Sequence, residues 1–62
     1  MAYTFEIYKD HASEYRWRFK ATNGKTVADS GEGYVSKQGC KDGIDLVKTN
    51  ASGAEVEDTT GS

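Results

Sequence analysis

The six residues Tyr15-Arg16-Trp17-Arg18-Phe19-Lys20 alternate aromatic and basic side chains without a break. Successive side chains of a β-strand point to opposite faces, so Tyr15, Trp17 and Phe19 share one face and Arg16, Arg18 and Lys20 the other. Three of the chain's seven aromatics and three of its eight basic residues lie in this one segment. It predicts a sheet with an apolar face that must be covered and a charged face in water.

The flanking sequence extends that sheet. Tyr3, Phe5 and Ile7 alternate with Thr4, Glu6 and Tyr8, which predicts a strand over 3–9. Asp10-His11-Ala12-Ser13 interrupts the pattern with turn-forming residues, and the second strand then runs over 14–21. With a three-residue loop between them, Ile7, Phe5 and Tyr3 meet partners among Tyr15, Trp17 and Phe19. Such cross-strand pairs contribute ~0.5–1 kcal/mol each. Asn23-Gly24 is a strong hairpin signal, because a type I′ turn needs positive φ at both central residues. A strict two-residue loop there pairs Phe19 with Ala28 and Arg18 with Asp29, and leaves Val27 on the outer face of a third strand over 25–30. A bulge would reverse that facing.

Gly31-Glu32-Gly33-Tyr34-Val35 reads as a flexible connector that leaves the sheet and needs unusual backbone angles, with Tyr34 anchoring it in the core. Ser36 is a natural N-cap for a helix over 37–49, and Asn50 stands near its end, where left-handed geometry is tolerated. Cys40, Gly43, Ile44 and Val47 share one helix face, with Leu46 to the side beside Gly39 and Gly43. Residues 51–62, with Val56 the one large apolar residue among Gly, Ser, Thr and acids, read as a disordered acidic tail. The fold expected is α+β: one β-β-β-α domain over 1–50, a three-stranded antiparallel meander followed by a single helix on its aromatic face.

At 62 residues with one cysteine and one histidine, the chain has neither an internal disulfide nor a four-ligand zinc site to support a small core. Oligomerisation is the remedy left, and a twofold homodimer is expected. Residues 1–50 carry all eight Lys and Arg against seven acids, and the last twelve residues carry three acids and no base. Neither part is a polycation, so bulk charge gives no reason to expect nucleic acid or an anionic membrane as partner. No apolar run is long enough to span a bilayer and the N-terminus does not read as a secretion signal, so the cytoplasm is the expected compartment.

The order β-β-β-α carries particular residues at its joints: Phe5-Glu6-Ile7-Tyr8-Lys9-Asp10, Tyr15-Arg16-Trp17-Arg18, Asn23-Gly24, Ser30-Gly31-Glu32-Gly33-Tyr34 and Gly43-Ile44. Over residues 3–50 this resembles the YegP-like family of small, uncharacterised bacterial proteins. The resemblance implies either two tandem β-β-β-α repeats or, as here, a single copy that pairs as a homodimer. Ser13 stands where that family's first turn usually has Gly, and Gly39 where Ala is common. The family has no established activity, so no catalytic residue is carried over.

Several residues invite functional readings. Arg16, Arg18 and Lys20 form a basic stripe that would suit a polyanion. RNA-binding sheets, however, place stacking aromatics and bases on one exposed face, whereas here they lie on opposite faces and Glu6 and Asp29 dilute the stripe. A solvated charged face is the simpler reading. Gly31-Glu32-Gly33 lacks the further glycines or Lys-Ser/Thr of a phosphate loop. Cys40 reads as a small buried hydrophobe and His11 as a solvated turn residue. Asp42 and Asp45 fall on the polar side of the helix. Gly39 and Gly43 form a flat strip that either admits another backbone, from the sheet or a partner helix, or is simply tolerated. No cofactor, metal or enzyme signature emerges, and the functional expectation is a homodimeric interaction module of unknown role, with weak polyanion binding through the stripe and an enzyme sited at the dimer seam as the alternatives.

Overall fold

The computed structural model describes residues 2–61. Three strands, β1 (Thr4–Lys9), β2 (Tyr15–Lys20) and β3 (Thr26–Asp29), form an antiparallel sheet in the order β1-β2-β3, followed by the helix α1 (Lys37–Asn50). Phe5 pairs with Phe19 and Ile7 with Trp17, as the odd-residue register requires.

The β1–β2 connection is the expected three-residue loop. The Asp10 amide donates to the Glu14 carbonyl at 2.9 Å and the Ser13 amide to the Asp10 carbonyl at 3.0 Å. Ser13 takes the left-handed position, φ +63°. The Asp10 carboxylate closes the turn by accepting from the backbone N–H of Ala12 at 2.9 Å and of Glu14 at 3.0 Å.

The β2–β3 connection departs from the strict two-residue turn. The Ala21 amide donates to the Lys25 carbonyl at 2.8 Å and the Gly24 amide to the Ala21 carbonyl at 2.9 Å, so the loop is Thr22-Asn23-Gly24. Only Gly24 has positive φ, +86°, which rules out type I′ geometry. The Asn23 side chain replaces the second left-handed residue by accepting from the Lys25 amide at 3.1 Å. The extra loop residue is absorbed at once by an irregularity between Phe19 and Lys20, opposite Val27. Phe19 therefore still meets Ala28 and Arg18 still meets Asp29, and Val27 is exposed.

The connector does not leave the sheet directly. Ser30 is buried against β2: its amide donates to the Trp17 carbonyl at 2.9 Å and its hydroxyl accepts from the Trp17 amide at 3.2 Å. After residues 31–33 the chain returns, and Tyr34 and Tyr15 exchange backbone hydrogen bonds of 2.8 and 2.7 Å. Neither Gly31 nor Gly33 has positive φ. Gly33 is required for space, because a Cβ there would run into the Glu14 side chain.

Ser36 caps α1, its hydroxyl accepting from the Gly39 amide at 3.0 Å. Asn50 stays right-handed, at φ −110° and ψ −19°, and donates its side-chain amide to the Leu46 carbonyl at 2.8 Å. The end is not left-handed because a 3₁₀ turn, Ala51–Gly53, continues it. Cys40, Ile44 and Trp17 make the buried core, at 0, 9 and 6% exposure. Phe5, Ile7, Tyr15, Phe19, Tyr34 and Val47 pack around it, only partly covered.

Candidate functional site

The helix covers less of the aromatic face than the strand pattern leads one to expect. It lies mainly on β2 over Trp17, and the upper part of the face is left open. There Phe5 and Phe19 sit with ring centroids 4.6 Å apart, and Tyr3 stacks on Phe19 at 5.5 Å while remaining 58% exposed. A groove of about 490 Å³ runs between these rings and the end of α1, walled by Ala28, Val47 and Ala51 with Lys48 also in its lining. Beyond Val47 the apolar surface continues through Leu46, 66% exposed, to Ala54. Trp17 also lines the groove, and its indole N–H is buried without an acceptor among the described residues.

On the opposite face the basic stripe is largely matched. Arg16 pairs with Asp10, and Arg18 pairs with Glu6 at 3.4 Å rather than with Asp29, although Asp29 is its register partner. The Arg18 guanidinium also lies 4.0 Å from the Tyr8 ring centroid, a cation–π contact. Lys20 has no ion-pair partner among the described residues. The hydrogen bond from Arg16, helped by the Glu14 and Ala12 amides, holds the Asp10 carboxyl below its usual range, and the same bond raises Arg16. Thus Asp10 both closes a turn and binds a stripe residue. The only sequence signal for that double role is an Asp at the start of a loop, two residues before a free amide.

The remaining candidates are distributed structurally. Cys40 is fully buried, and burial pushes its thiol up, away from the thiolate a nucleophile needs. His11 is exposed at the hairpin tip. Asp42 accepts from the Gln38 side chain at 3.0 Å on the exposed helix surface. No group of His, Cys, Asp and Glu suited to a metal occurs among the described residues. Within the chain, what approaches Gly43 is the Tyr34 ring rather than sheet backbone: a Cβ at Gly43 would strike the hydroxyl and lie 2.9 Å from Cζ. Gly39 faces Ser36 Oγ and the same ring at longer range. Ser30, which the residue pattern marked only as a joint, is the one buried polar side chain among the described residues and ties the connector to Trp17.

These features define a small α+β domain with a half-covered aromatic sheet face and a charge-compensated outer face. The chain belongs to the family described as Domain of unknown function (DUF1508), whose profile matches residues 10–58. A UPF0339 protein of Neisseria meningitidis serogroup B is 50% identical over 54 residues, which cover 87% of this chain and 95% of that one. A UPF0339 protein of Stutzerimonas stutzeri is 53% identical over 51 residues, which cover 82% of this chain but 45% of that one. The solution NMR structure of a Haloferax volcanii protein shares 51% identity and a TM-score of 0.87, covering 92% of this chain and 95% of that one. Membership of an uncharacterised family agrees with the YegP-like resemblance. No helix among the described residues is long and apolar enough to cross a membrane.

Proposed function

We infer that the protein is a cytoplasmic interaction module that works as a homodimer joined through the open half of its aromatic face. The observation that carries this reading is the continuous apolar surface from Tyr3 and Phe19 across the groove to Leu46 and Ala54. A three-stranded sheet with one helix cannot cover such a face alone, and a second copy would remove it from water. The Stutzerimonas stutzeri relative supports it from another side: the matched segment fills less than half of that protein, leaving room for a second copy in one chain. Polyanion binding through Arg16, Arg18 and Lys20 is the weaker reading, since Asp10 and Glu6 already engage two of the three.

Sedimentation of the wild type and of Leu46→Asp tests the inference. Leu46 is exposed within one subunit, so the variant keeps the fold, and a circular dichroism spectrum checks that. The wild type is expected to sediment as a dimer at micromolar concentration and the variant as a monomer. A monomeric wild type, or a folded variant that still dimerises, would refute it.

A further inference from the structure

The loop between β2 and β3 has a chemistry unrelated to either face. Asn23 and Gly24 are exposed at its tip. Because Asn23 Oδ1 accepts from the Lys25 amide, a hydrogen-bonded ring runs from the Asn23 carboxamide through the backbone nitrogen of Gly24 to Lys25. The electrophilic Cγ and the Gly24 nitrogen are therefore held in one small ring. Gly24 has no side chain to shield that nitrogen, and no heavy atom lies within 4 Å of the place a Cβ would occupy.

We propose that Asn23-Gly24 is a self-modification site, at which the native protein deamidates through a cyclic imide. Hydroxide removes the Gly24 amide proton and the nitrogen attacks Cγ of Asn23, forming a five-membered ring. Negative charge gathers on Oδ1, where the Lys25 N–H already donates. Collapse breaks the Cγ–N bond of the carboxamide and expels ammonia, which takes its proton from water. Water then opens the imide at one of its two carbonyls, giving either aspartate or isoaspartate, the latter with the backbone routed through Cβ. The sum is amide plus water to carboxylate plus ammonium, with no oxidant or reductant. The restraint on the rate is the hydrogen bond from the Gly24 amide to the Ala21 carbonyl at 2.9 Å, which opens with local fraying of the exposed loop.

The two products differ in consequence. Aspartate keeps an oxygen for the Lys25 amide and adds one negative charge. Isoaspartate lengthens the backbone in a loop whose length already has to be absorbed opposite Val27, so it loosens the four-residue strand β3.

The full chain, incubated at physiological temperature and mildly alkaline pH, is followed by peptide mass mapping with enzymatic isoaspartate labelling. Asn50, which lies at a helix end before Ala51 and whose side-chain amide is engaged by the Leu46 carbonyl, is the internal reference. The Asn23 peptide is expected to gain the mass of OH for NH₂ and the isoaspartate label, faster at higher pH, while the Asn50 peptide stays unchanged. Gly24→Ala should slow the conversion by an order of magnitude. Because that variant also strains the loop at φ +86°, the urea-unfolded wild type provides a second reference. Equal rates at Asn23 and Asn50, or an intact Asn23 in the native protein over a period in which the unfolded chain converts, would overturn the proposal.

Discussion

Ser13 occupies the left-handed corner of the first hairpin with a Cβ in place, φ +63°, a position that costs an L-residue ~1 kcal/mol or more. Glycine there is free of that strain but loses more entropy on folding. Ser13→Gly is therefore expected to stabilise the protein by about 0.5–1 kcal/mol, read as a higher urea midpoint with an unchanged slope. Beside it, Asp10 links stability to pH. Its folded-state pKa lies below the ordinary 3.8 because Arg16 and the loop amides favour the carboxylate. The unfolded state therefore takes up the proton first, so Asp10's contribution is complete above about pH 5 and fades as pH falls through the depressed value. Asp10→Asn keeps an oxygen for the two amides but loses the charge facing Arg16. The stability gap between wild type and this variant is expected to hold steady near neutrality and narrow on acidification. A gap that widens in acid would contradict that assignment.

At the scale of elements, alternation made the strands and their facing legible, and helical spacing with Ser36 did the same for α1. The Phe19–Ala28 and Arg18–Asp29 pairings were legible too, but for an incomplete reason. The loop is one residue longer than the Asn-Gly signal implies, and the irregularity opposite Val27 cancels the difference. A side-chain oxygen standing in for a backbone angle leaves no separate mark in the residue order. The meeting of Tyr34 with Gly43 was equally hidden, since it joins a connector to a helix through space. Because Tyr34 is held at its backbone by Tyr15, its ring cannot retreat easily. Gly43→Ala is expected to destabilise by ~1–2 kcal/mol, overpacking outweighing the ~1 kcal/mol gain in helix propensity. Adding Tyr34→Phe, which removes the struck hydroxyl, should recover part of the loss. Additive effects in the double-mutant cycle would show that the two residues do not meet.

For the whole molecule, the open groove was the least legible feature. The sequence marks which residues are apolar, but not that one fourteen-residue helix leaves the Tyr3–Phe5–Phe19 rings half in water. The chain's sole tryptophan lines this groove, which makes Trp17 a built-in optical reporter. Its emission is set by how much solvent dipole reaches the indole, and its N–H, without an acceptor among the described residues, is a second label through its exchange rate. If the proposed dimer closes this groove, serial dilution should shift the emission slightly to longer wavelength, Trp17 being only 6% exposed within one subunit, and Leu46→Asp should show the shifted spectrum at every concentration. A spectrum indifferent to both would count against a contact between copies at this groove, so a core residue gives the proposed assembly a fluorescence readout without any added probe.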